Sequence, residues 1–147
     1  MEAFLSTLHV VGAVFIVGPM AILPMTAMRA IRAGQGAQVA VLARSTLVFS
    51  LLSLVVALLG FGIVGVSTHD TKISTPWVLV SIILYALAVG LNLVAVVPAL
   101  RSASEHLLDA GAENLKAPDY RRIAIGSGVT SLLLVIVVVL MSWKPGG

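Results

Sequence analysis

Residues 45–66, STLVFSLLSLVVALLGFGIVGV, run 22 positions without a charge. As a helix this stretch rises about 33 Å, at about 1.5 Å per residue, and so covers a hydrocarbon core about 30 Å thick. It is apolar on every side, as a helix in lipid is. Its small residues are ordered, however. Ser50, Ser53, Ala57 and Gly60 fall 3, 4 and 3 positions apart, which places them on one helix face. Lipid removes the hydrophobic drive between helices, so close approach of small residues and a few polar contacts must hold a bundle together.

Three further stretches have the same character, at about 3–27, 77–100 and 123–143. The 147 residues are 59% hydrophobic and 10% charged, against about 45–50% and about 25% in a soluble domain. With four spans, no length is left for a soluble domain, and the chain reads as one all-α transmembrane domain, a four-helix bundle. The net charge of +3 does not point to nucleic acid. The basic residues sit in short loops beside apolar spans, as membrane topology alone produces. Cysteine is absent, which removes disulfides, thiolate metal sites and thiol catalysis. No Lys or Arg precedes the first apolar run and no small-residue cleavage site follows it, so it reads as a retained span.

The loops orient the spans. The first holds Arg29, Arg32 and Arg44, and the third Arg101, Lys116, Arg121 and Arg122. The second has only Lys72, and the C-terminal tail only Lys144. The positive-inside rule places the first and third loops in the cytoplasm, with both termini and the second loop outside. Trp77 and Trp143 mark interfaces. The first loop is expected to prolong the second helix. In the third, Ser102 and Glu105 fit a capping box that would start a short cytoplasmic helix over 103–110, stopped by Gly111. Pro118 then breaks the chain and Asp119 caps the fourth span. No internal repeat is evident.

The third span carries Ser81, Tyr85, Ala88 and Asn92 at helical spacing, and the fourth carries Ala124 and Gly128 with Ser127 and Ser131 nearby. These stripes predict the interior of the bundle. An amide in lipid must find a partner, so Asn92 is expected to bond Ser50, Ser53 or Tyr85, or else to line a pathway. The half-helix 132–140 is bulky on every side and faces lipid or a partner protein.

The first span keeps an ionisable ring, His9, and two helix breakers, Pro19 and Pro24. Two readings of His9 stand side by side. It is a neutral imidazole bonded to a neighbouring helix, or it is a ligand. His69, Asp70 and Met141 fall on the same outer side, and imidazole with thioether suits copper. A haem held by this chain alone lacks a second axial ligand at matching depth: His106 lies at the other side, and Met20 is about 16 Å along the helix from His9. The prolines bend the helix and are tolerated where neighbours resatisfy the backbone. No membrane-embedded Asp or Glu, no H-E-x-x-H, no G-x-S-x-G and no phosphate loop is present. Glu105, Asp109 and Glu113, spaced 4 and 4, form a solvated helix face.

The opening LHVVGAVFIVG, the arginine-bearing first loop, the apolar fourth span and the ending LMSWKPGG resemble a family of small bacterial four-helix proteins known only as predicted integral membrane proteins. The segment LHVVGA is also similar to the first helix of the copper-resistance D-type membrane proteins, around its histidine. The first resemblance implies a bacterial inner-membrane protein, and the second a metal. The residues themselves favour a non-catalytic accessory or assembly subunit, bound to lipid and to other membrane subunits, with a respiratory oxidase or supercomplex as the concrete candidate and no cofactor of its own. The alternative is an outer-side copper or haem binding or transport protein using His9, with His69, Asp70 and Met141.

Overall fold

The structure, a computed structural model, describes residues 1–66, 72–110 and 117–145. Among these the chain forms four continuous helices, each long and apolar enough to cross a membrane. Helix α1 is Glu2–Arg32 and α2 is Gly36–Val66. Helix α3 covers residues 76–110 without a break, and α4 is Ala117–Trp143.

Local chemistry sets the ends. Helix α1 stops because Gly34 takes φ 69°, the left-handed conformation that glycine adopts without a Cβ penalty. The N–H of Gln35 then reaches the carbonyl of Ala30, and that of Gly34 reaches Ile31. This closes the orphan carbonyls in a Schellman turn. Helix α2 starts at once, so the first loop does extend it by nine residues beyond Ser45. Gly36 permits this tight hairpin to sit on α3: a Cβ there would lie 3.0 Å from that of Leu107. Helix α3 begins at Pro76, after an extended Thr75, where the missing proline N–H breaks no bond.

Two expectations for the third loop need correction. Residues 103–110 are helical, but as the end of α3 and not as a separate helix. Ser102 is therefore not an N-cap; its carbonyl accepts a bond of 2.7 Å from His106 Nδ1. Continuing α3 keeps Ala103 and Leu107 buried in the bundle, which a break would forfeit. Helix α4 begins at Ala117, so Asp119 falls inside its first turn and Pro118 is taken into that turn. Gly111, Glu113 and Lys116 lie outside the described residues.

The helices run alternately up and down in the ring order α1, α2, α3, α4. All the described arginines gather at one end, where Arg32 Nε donates to Tyr120 Oη at 2.6 Å. At that end all four helices meet around Ala27, Ala30, Ala43, Ala99 and Ala103, with Leu100 and Ile123 fully enclosed. The alanines let the backbones approach closely. Toward the far end the arrangement changes. Close backbone approach is there mostly between Glu2–Gly12 and α2, and between Pro76–Leu91 and α4.

Two of the helices share a local device. A π turn, Ala13–Val17, comes immediately before Gly18 and Pro19, and another, Asn92–Val96, before Val97 and Pro98. Asn92 follows Ala13 by 79 positions, as Pro98 follows Pro19. In each, an N–H bonds five residues back: Gly18 to Ala13, and Val97 to Asn92. A proline ring collides with the carbonyl four residues before it and supplies no N–H. The wider turn relieves that collision. The two parallel helices are thus reshaped by the same local device.

Candidate functional site

The interior between α2 and α3 is a polar seam. Asn92 is fully buried, and its Nδ2 donates to Ser50 Oγ at 2.9 Å. Tyr85 Oη donates to Ser53 Oγ at 2.7 Å. Both serines then pass the bond on. Ser50 Oγ donates to the Thr46 carbonyl, Ser53 Oγ to the Ser50 carbonyl, and Thr46 Oγ1 to the Leu42 carbonyl. A hydroxyl has one donor and accepts as well, so each serine is used in both directions. Ser81 closes on its own helix, to the Trp77 carbonyl at 2.7 Å. Among the described residues, Asn92 Oδ1, Thr130 Oγ1 and Trp77 Nε1 have no hydrogen-bond partner.

His9 makes the corresponding contact between α1 and α2. Its Nδ1 lies 2.8 Å from the Val56 carbonyl oxygen. A carbonyl only accepts, so Nδ1 carries the hydrogen and Nε2 of the neutral ring keeps its lone pair. Gly60, one turn along α2, makes room: a Cβ there would lie 2.9 Å from the imidazole Cε1. Gly12, one turn along α1, sits against Val56 in the same way, with 2.9 Å to its Cγ2. Glycines on both helices therefore bring the backbones together where the ring crosses between them.

The other stripe residues fall as follows. Ser50, Ser53, Ser81, Ala88 and Asn92 are buried, and Tyr85, Ala57, Gly60 and Ala124 are half-buried. Gly128 is on the exposed face, with open space where a Cβ would stand. The inward line of α4 is Ile123, Ser127, Thr130, Leu134 and Val137. Leu134 and Val137 thus turn one side of 132–140 into the bundle, while Leu132, Val135 and Val139 face out. Helix α4 is tied to α1 by Ser131 Oγ, which donates to the Ala21 carbonyl at 3.0 Å. Thr46, Thr130 and Gly12 join the interior although the stripes at 50–60 and 124–128 stop short of them; extending each line by one turn reaches the two threonines.

Of the residues considered for a metal, His69 and Asp70 lie outside the described residues. Among the described residues no three His, Asp or Glu side chains are grouped to hold an ion. His9 is engaged through Nδ1 as above, and Met141 stands partly exposed on α4.

Four membrane-length helices with a polar seam inside and apolar side chains outside define a multi-pass integral membrane protein. Residues 3–145 match the family model described as "Predicted integral membrane protein (DUF2269)", and the chain belongs to that family. No curated protein and no solved structure matches it.

Proposed function

We propose that this protein acts by association within the bilayer, as a non-catalytic accessory or assembly subunit of a larger membrane complex in the bacterial inner membrane. One observation carries the reading: the polar side chains that cross between the helices are used to hold helix to helix. Ser50, Ser53, Tyr85 and Asn92 bond between α2 and α3, and His9 bonds α2. What the bundle offers outward is apolar side chains, such as Leu51, Leu58 and Phe61 of α2 and Leu132, Val135 and Val138 of α4. Such faces meet acyl chains or the helices of a partner. A large complex such as a respiratory oxidase supplies helices of that kind. The test is a mild-detergent pull-down of the tagged chain from its native membranes, with crosslinking before extraction. Stoichiometric recovery of a larger complex is expected. Recovery of the chain alone under both conditions overturns the proposal.

A second reading rests on the His9 tautomer. An imidazole that donates Nδ1–H to a backbone carbonyl is oriented to ligate through Nε2, the arrangement by which proteins position metal-bound histidine. Copper or haem at the far end of the bundle, completed by Met141, His69 and Asp70, is the form this reading takes. Metal content and the visible spectrum of the purified protein decide it. Bound metal or haem that His9→Ala abolishes supports the reading, and metal unchanged by that substitution removes it.

A further inference from the structure

A groove of about 700 Å³ runs along the outer side of α3 and α4 at the arginine end of the bundle. Its walls are apolar, from Leu91 and Ala95 on α3 and from Ile125 and Val129 on α4. Its mouth is formed by Arg121 and Arg122. We propose that this groove binds one anionic phospholipid, with an acyl chain along the apolar walls and the phosphate held by the two guanidinium groups.

Three observations combine. First, the groove has a lipid's division into parts. From Arg121 to Val129 is about 12 Å along α4, most of the roughly 15 Å depth of hydrocarbon in one leaflet. Second, the charge at its mouth is unspent. Both arginines are exposed, and among the described residues neither has an ion pair or side-chain hydrogen bond. Neighbouring Arg32, by contrast, is committed to Tyr120, through the 2.6 Å bond and by lying 5.5 Å over its ring. Third, the floor is built for close packing. Gly126 is buried, and a Cβ there would come within 2.8 Å of Val96 Cγ2. A larger residue would push α3 and α4 apart and reshape the groove.

The chemistry selects the ligand. A guanidinium fork matches phosphate oxygens in two parallel hydrogen bonds. Basic pockets between transmembrane helices at the interface hold anionic headgroups in this manner. A zwitterionic lipid would bring its own cation toward two arginines, and free phosphate would leave the apolar walls unused.

The test uses the purified full-length chain and native mass spectrometry, with phosphatidylglycerol and phosphatidylcholine of identical acyl chains supplied equally. Retention of phosphatidylglycerol in preference is expected. Arg121→Gln/Arg122→Gln should reduce that preference by about 30-fold, since each basic residue beside an anionic surface contributes a factor of about five. Ala95→Trp fills the groove but keeps both arginines, and it should reduce retention of both lipids. Equal retention of the two lipids by the unmodified chain overturns the proposal. So does phosphatidylglycerol retention unchanged in Ala95→Trp, which serves if the arginine variant does not fold. Displacement of phosphatidylglycerol by millimolar inorganic phosphate would show a phosphate site and overturn it as well. These outcomes concern the isolated chain and are independent of whether a partner complex is found.

Discussion

His9 reaches the Val56 carbonyl, at 2.8 Å, only because the residue one turn further along α2 is glycine. A Cβ on residue 60 would stand 2.9 Å from the imidazole Cε1, too close for the ring to keep its place. This explains why a strongly apolar span tolerates an ionisable ring. The ring is a cross-helix hydrogen bond donor, seated in a gap that another helix leaves for it. Gly60→Ala should therefore destabilise the bundle by about 1–3 kcal/mol, the usual cost of overpacking a well-filled site. In a His9→Ala background the same substitution should cost far less, because the colliding ring is gone. Unfolding of the four variants in detergent measures this coupling. Additive effects would mean that the ring does not occupy the gap.

The seam between α2 and α3 makes an asymmetric prediction. Ser50→Ala leaves Asn92 Nδ2 buried without an acceptor, which costs about 1–3 kcal/mol. Asn92→Leu removes the donor and with it the unpartnered Oδ1, so it should cost less. The double variant should lie closer to the parent than Ser50→Ala does. The coupling is expected near 0.6 kcal/mol and no higher than about 1.7 kcal/mol, the range for such bonds in membranes. A Ser50→Ala variant as stable as the parent would mean that Asn92 finds another acceptor.

Much of this arrangement is legible in the sequence, because lipid simplifies the rules. Four uncharged stretches of sufficient length give four helices. An amide in such a stretch must bond inward, and Ser50, Ser53 and Tyr85 are the partners at reachable positions. The π turns are not legible. Pro19 and Pro98 announce a disturbance, but whether a helix answers with a kink or a wider turn depends on neighbours it packs against. The continuation of α3 past Ser102 is hidden for a related reason. The capping-box pattern is local, while burial of Ala103 and Leu107 against the other helices is not. Gly128 shows the limit of composition. A small residue is not an inward residue, and the buried line through Ser127 and Thr130 leaves it outside.

At the arginine end, Tyr120 holds Arg32 by a hydrogen bond and by its ring face. Tyr120→Phe removes the first and keeps the second, whereas Tyr120→Ala removes both, together with the packing of the ring against the buried cluster. Exposed interactions of each kind contribute about 0.5–1 kcal/mol. The alanine variant should thus be the less stable of the two, and high salt should narrow the difference between the parent and Tyr120→Ala. Thermal unfolding at two salt concentrations checks this. Equal stability of the phenylalanine and alanine variants would assign the contact to the hydroxyl alone.

The same clustering of charge predicts the orientation. Arg29, Arg32, Arg44, Arg101, Arg121 and Arg122 belong to the end where α1 and α3 finish and α2 and α4 begin, and Lys72 and Lys144 to the other. Carrying the six across a membrane is costlier than carrying the two, so the arginine end is expected in the cytoplasm and both termini outside. The chain has no native cysteine to interfere with a reporter. Gln35 in the tight α1–α2 turn and Ser142 near the end of α4 are both exposed. With a membrane-impermeant maleimide on intact spheroplasts, Ser142→Cys should label and Gln35→Cys should label only after permeabilisation. The reverse pattern would place the arginines outside, against the charge bias. Labelling of both positions in one population would show that the bias from these loops is too weak to fix a single orientation.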